Sequence, residues 1–158
     1  MAWWWYGLSG ALVVADQWTK QLVQQQFTLG QVEVITPYFD LTLAYNRGAA
    51  FSFLSDAGGW QRWFFTAIAA AVSLVIAVWL WRLGSGRRLL ALSLALILGG
   101  ALGNLFDRVT LGYVIDFISV HYRHYYWPAF NVADSAIFCG AILLVIDTFR
   151  HQEDTEGV

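Results

Sequence analysis

The run FFTAIAAAVSLVIAVWLW, residues 64–81, carries no charged side chain over 18 positions. A helix needs about 20 apolar residues to cross the hydrocarbon of a bilayer. Trp60 and Trp63 at one end, and Trp79 and Trp81 at the other, mark its limits as interfacial anchors do. With this segment, at about Trp63–Leu83, three more apolar stretches stand out, near Trp4–Gln24, Leu89–Leu105 and Val132–Thr148. They predict a mainly α, polytopic membrane protein with four transmembrane helices. Composition agrees: 13% of the chain is charged, against about 25% in soluble domains. Lipid must therefore replace water over much of the surface. The 158 residues suffice for one membrane domain, 1–158, and not for two.

A net charge of −2 without a basic patch speaks against a nucleic-acid partner. The single cysteine, Cys139, rules out an internal disulfide and any multi-cysteine metal site. In its apolar run it reads as a small buried hydrophobe. The opening MAWWWYGLSGALVVADQWTK has no Lys or Arg ahead of its apolar core and no well-placed small-x-small cleavage site. It reads as a retained helix.

The short link RLGSGRR holds Arg82, Arg87 and Arg88, which marks it as cytoplasmic. Four spans then put both termini inside and the other two loops outside, although those loops also hold basic residues. The first outer loop, 25–62, is too long for a plain connection. In it FDLTLAYN alternates as a half-buried strand does, and VEVITPYF reads as a second strand broken at Pro37. NRGAAFSF and the turn-rich SDAGG follow. A small extracytoplasmic β-sheet in this first outer loop is expected. The second outer loop, 106–131, contains the aromatic and basic HYRHYYWP, suited to lipid headgroups, and the polar tail 151–158 reads as disordered.

Under this topology the notable polar residues gather on one side: Asp16, Asn46, Asn104, Asp107, Asp116, Asn131 and Asp134. Charged groups beside hydrocarbon are costly unless paired or in a wet cavity. Asp147 is the exception. It lies 13 residues beyond Asp134, about 20 Å along a helix, at the cytoplasmic interface and within reach of Arg150.

Structural explanations compete for each group. Asn131 suits an N-cap with Asp134 at the third position, where a carboxylate favours the helix dipole. Asp107 and Arg108 could form a plain interfacial ion pair. Asp16 and Lys20, one turn apart, can pair within their helix. Gly99 and Gly103 allow close helix approach. His121 and His124 with Asp116 could be drawn as metal ligands, but their spacing in a tyrosine-rich segment is a weak pattern, so no metal or cofactor is assigned.

No serine or cysteine stands beside a base and an orienting group. Two carboxylates without a metal leave one familiar reaction. Like charges held close cannot both ionise easily and tend to share a proton. One member can accept a proton from water while the other protonates an amide oxygen, with Asn and Arg neighbours stabilising charge. Asp116 and Asp134 are the expected catalytic pair. A small transporter using intramembrane acids as a relay, or a scaffold whose aspartates only cap helices, are the alternatives.

The segments D-x-x-x-K (Asp16, Lys20), NRGAAFS (Asn46–Ser52), GNLFDR (Gly103–Arg108), GYVIDF (Gly112–Phe117) and FNVADS (Phe130–Ser135) occur in this order along nearly the whole chain. Together they resemble bacterial lipoprotein signal peptidase, signal peptidase II, with no departure within the motifs. The resemblance implies a monomeric aspartyl endopeptidase of the bacterial cytoplasmic (inner) membrane, with its active site near the outer leaflet. It would remove the signal peptide of a diacylglyceryl-modified prolipoprotein, cutting before the lipidated cysteine. It further implies Asp116 and Asp134 as catalytic pair, and Asn46, Asn104, Arg108 and Asn131 as substrate-binding residues. Asp16, Lys20 and Asp107 would support them. Membrane lipids and the cyclic peptide antibiotic globomycin are the other partners it implies. The sheet would cradle the protein on the membrane, and the aromatic loop before Pro128 would be a mobile cover.

Overall fold

The computed structural model describes residues 3–47, 60–84 and 86–156. The expected segment beyond Arg47, through SDAGG, lies outside them. Among the described residues the chain forms four helices, α1 (Trp4–Gln26), α2 (Trp60–Arg82), α3 (Arg88–Thr110) and α4 (Val132–Glu156), and four strands, two after α1 and two after α3. These are β1 (Val32–Thr36), β2 (Phe39–Asn46), β3 (Val114–Tyr122) and β4 (Tyr125–Tyr126).

Helix α3 packs against each of the other three. Its run of small and aliphatic residues, from Leu90 to Gly103, buries nearly every face and lets its neighbours approach closely. Trp5, Ile76, Leu80, Leu90, Leu94 and Leu98 form the core at one end of the bundle. Val23, Leu43, Ile115 and Phe117 join helix to sheet at the other.

Three of the helices are long and apolar enough to cross a membrane: Arg62–Arg82, Arg88–Thr110 and Val132–Arg150, with mean hydropathy 2.2, 2.1 and 1.9. Helix α1, expected as a fourth equal span, is not among them. Its length suffices at 23 residues, but its buried stripe carries Ser9, Asp16 and Lys20. The polar groups point at α3, so the composition of α1 understates how well it sits in the bundle.

The sheet is antiparallel in the order β1-β2-β3-β4. Strands β1 and β2 fall where VEVIT and FDLTLAYN are expected. The sheet is not confined to the first outer loop, because β3 and β4 come from 106–131. VIDFISV was opaque to an alternation rule: its residues Val114–Phe117, Asp116 included, are buried on both faces, so no polar side marks the strand. Two further boundaries change. Helix α3 runs on through Asp107 and Arg108 to Thr110, so these residues are helical and not in a loop. Helix α4 continues to Glu156, with no glycine or proline between Gly140 and Gly157 to end it, where a disordered tail from 151 was expected.

The turn from α3 into β3 positions half of the site. Leu111 and Gly112 both donate their backbone N–H to the Asp107 carbonyl, at 2.7 and 3.2 Å. Gly112 has φ +84°, the left-handed conformation that ends helices and strains other residues. The chain thereby reverses and enters β3 beside β2.

Two bland readings also change. Cys139 is exposed, because in an all-apolar helix periodicity cannot separate a lipid-facing side from a core-facing one. Asp147 pairs with Arg87, the residue just before α3, rather than with Arg150, tying the start of α3 to α4.

Candidate active site

The site forms where the tops of α1, α3 and α4 meet the sheet. In the register of β2 and β3, Ala44 faces Asp116 and Asn46 faces Val114. Asn46 and Asp116 are thus diagonal neighbours on one face, and Asn46 Nδ2 donates to Asp116 Oδ2 at 3.1 Å. After the aromatic segment, Phe130 pairs with β3: its N–H donates to Ile118 O at 3.0 Å, and its carbonyl accepts from Ile118 N–H at 2.8 Å. This clip delivers the next residue, Asn131, to the side of Asp116.

Asn131 is fully buried and serves both acids. Its Nδ2 donates to Asp116 Oδ1 at 2.7 Å and to the Ile115 carbonyl at 3.2 Å. Its Oδ1 accepts from Asp134 N–H at 2.9 Å, and its own N–H donates to Asp134 Oδ2 at 3.3 Å. That reciprocal pair is a capping box at the head of α4. The capping reading of Asn131 and Asp134 is therefore correct as geometry, yet it does not exhaust either residue. Asp134 Oδ1 accepts from Asn104 Nδ2 at 2.7 Å, and the Asn131 amide continues to Asp116.

A second cluster lies directly beneath. Lys20 Nζ sits 2.7 Å from Asp16 Oδ2 and 2.8 Å from Asp107 Oδ2, and donates to Asn104 Oδ1 at 3.1 Å. All three charged side chains are about 1% exposed. Asp107 therefore pairs with Lys20, where an ion pair with its neighbour Arg108 was one expectation. Asp16 Oδ1 accepts the N–H of Ala133 at 2.9 Å, which fixes the first turn of α4 to α1. Gly103 makes room for this cluster: a Cβ there would stand 2.7 Å from Asp16 Oδ2. Asn104 belongs to both layers, accepting from Lys20 and donating to Asp134.

The sequence reading missed Gln17, whose Nε2 donates to Asp107 Oδ1 at 2.7 Å and to Asp16 Oδ2 at 3.2 Å. Its signal was available, as it adjoins Asp16 on a helix already known to bury charge. It also missed the pairing of His121 with Asp40, Nε2 to Oδ2 at 3.3 Å. That contact takes His121 to Asp40, whereas the metal drawing had joined it to Asp116.

Electrostatics separate the two layers. The carboxyl of Asp116 is pushed up to about 7, chiefly by burial and then by the charge of Asp134, against the opposing hydrogen bonds of Asn46 and Asn131. Arg108 lies within electrostatic range of Asp134, Asp116 and Asp107. Its Nη1 donates to Asn104 O at 3.3 Å, while its buried Nε has no hydrogen-bond partner among the described residues. A cation with a spare donor thus lies near both carboxyls.

Apolar helices topped by a sheet, with two linked carboxylates at the junction, are the build of a membrane protease of aspartic type. The model of the family described as signal peptidase (SPase) II matches residues 8–150, and the chain belongs to that family. Curated relatives named lipoprotein signal peptidase include that of Cellvibrio japonicus (strain Ueda107), 50% identical over 155 residues, covering 98% of this chain and 91% of the relative. Another, from Ectopseudomonas mendocina (strain ymp), is 55% identical over 154 residues, covering 96% and 91%. Two solved structures described as bacterial membrane enzymes superpose with TM-scores of 0.85 and 0.80. They are 27% and 30% identical and cover 98% and 92% of this chain, each with 92% of its own length.

Proposed function

We propose that this chain removes signal peptides from diacylglyceryl-modified prolipoproteins, with Asp116 and Asp134 activating a water molecule. The observation that carries the reading is the bridge through Asn131, which donates to Asp116 and shares a capping box with Asp134. It holds the two carboxyls in one site while leaving them a common proton. One carboxylate removes a proton from water as its oxygen attacks the scissile carbonyl. The other carboxylic acid protonates the carbonyl oxygen, and proton return to the amine completes cleavage. Asn46, Asn104 and Asn131 orient the acids and, with the spare donor of Arg108, receive the peptide backbone. Asp16, Lys20, Asp107 and Gln17 hold the helix ends on which those residues stand.

On this reading α1 joins the other three helices as a span, shielding its polar stripe against α3. Both termini and RLGSGRR face the cytoplasm, and the site lies near the outer leaflet of the inner membrane. There a lipidated cysteine keeps the scissile bond. The chain acts as a monomer, and a globomycin-type cyclic peptide competes for the site. A reporter fused after Gly84 should be active only inside the cell.

The direct test is incubation of the purified protein with a prolipoprotein, with and without the diacylglyceryl group and the cyclic peptide. Cleavage before the lipidated cysteine, blocked by the peptide and indifferent to a chelator, is expected. Absence of cleavage in a folded preparation contradicts the assignment, and loss to a chelator contradicts the mechanism.

A further inference from the structure

At the end of the bundle opposite the aspartates, the start of α1, the end of α2 and the start of α3 enclose a cavity of about 610 Å³. That volume is within the range of small-ligand clefts. Sixteen residues of α3 separate Arg88 from Asn104, about 24 Å at 1.5 Å per residue, so it is remote from the site above. Trp3, Trp4, Trp81, Arg82, Arg87 and Arg88 line it.

Its charge is not balanced by the protein. Arg87 is taken by Asp147. Arg82 and Arg88 have no carboxylate partner among the described residues, and the start of α3 has no side-chain cap. Free helix N–H groups beside two guanidinium groups suit a singly charged phosphate ester. The rim is apolar: Trp3, Trp4 and Trp81 are 70%, 59% and 56% exposed. Farther along α2, Leu74 and Val75 are exposed as well. Tryptophan at the mouth of a basic cavity combines an interfacial ring with an N–H donor, as membrane-boundary aromatics do.

We propose that this cavity binds the phosphodiester of an anionic glycerophospholipid, with Arg82 and Arg88 as its cation pair and the tryptophan rim against the acyl chains. The lipid would pin the ends of α1, α2 and α3 together. Its leaflet, the cytoplasmic one, rests on the orientation proposed above; binding itself does not, and is read without any peptidase assay.

The test is native mass spectrometry of the purified full chain titrated with phosphatidylglycerol, phosphatidylcholine or soluble glycerol phosphate. Phosphatidylglycerol should be retained at least fivefold better than phosphatidylcholine, and glycerol phosphate should not be retained. Each arginine near an anionic headgroup is worth about fivefold, so Arg82→Gln with Arg88→Gln should weaken retention roughly twentyfold. Arg82→Lys with Arg88→Lys should keep most of it, which separates loss of charge from loss of fold. Equal retention of the two lipids, or no change in the glutamine variant, overturns the proposal. Binding of glycerol phosphate as tight as that of the lipid overturns the lipid assignment.

Discussion

Two groups of acids lie in adjacent layers of this protein and have been given different partners. Asp16 and Asp107 are fully buried, and each touches the ammonium of Lys20. Among the described residues, Asp116 and Asp134 receive only neutral amide and backbone donors at hydrogen-bond distance. Buried carboxylates in contact with a shared cation tie helices together and do structural work. Asp116, held by amides beside another acid, is pushed toward neutrality and can trade a proton. The partner, and not the residue type, divides the roles. Asn104 accepts from Lys20 and donates to Asp134, so the rigid layer sets the position of the reactive one.

The sharpest way to break this division is to neutralise one member of each group. Asp134→Asn should lower prolipoprotein cleavage by about 10³-fold or more, near the upper range for a lost acid–base group, while the protein still inserts. Cleavage within tenfold of the parent would move Asp134 back to capping alone. Lys20→Met should instead destabilise the fold by about 3–5 kcal/mol, because two carboxylates are left buried without their cation. Thermal unfolding in detergent measures it, and an unchanged midpoint would remove Lys20 from the structural group.

Smaller changes sharpen the comparison. Gly103→Ala places a methyl against Asp16 Oδ2 and should cost about 1–3 kcal/mol by overpacking. Unchanged stability would show that α1 and α3 have room to part. Gln17→Leu removes donors to Asp107 and Asp16. About 1–2 kcal/mol of stability should go with them, with the cleavage rate of the folded fraction little changed.

Much of this was legible in the sequence, and the failures have physical causes. Strands β1 and β2 were visible because FDLTLAYN alternates apolar and polar residues, even though the polar Asp40 and Thr42 are themselves buried in the fold. Strand β3 was not, since a strand covered on both sides has no alternation to read. The acids were legible as a group because charge is rare in this chain. Their sorting was less so: Asp107 adjoins Arg108 in sequence, yet its cation comes from Lys20 of another helix. The face of Cys139 and the partner of Asp147 depended on how helices turn against one another, which an apolar pattern does not record.

The most direct measurement of the central claim is the unfolding midpoint of Asp116→Asn across pH, taken with its cleavage rate. Asp116 rises from 3.8 to about 7 in the folded protein. Between those pH values the unfolded chain has released a proton that the folded one still holds. The contribution of Asp116 to stability is therefore greatest below pH 4, falls as pH rises toward 7, and levels off above it. At about 1.4 kcal/mol per unit the parent loses on the order of 4 kcal/mol over that window. The asparagine variant should lack this fall, be at least as stable as the parent at pH 7, and fail to cleave. A variant that still cleaves, or that loses activity only because it unfolds, would contradict the account.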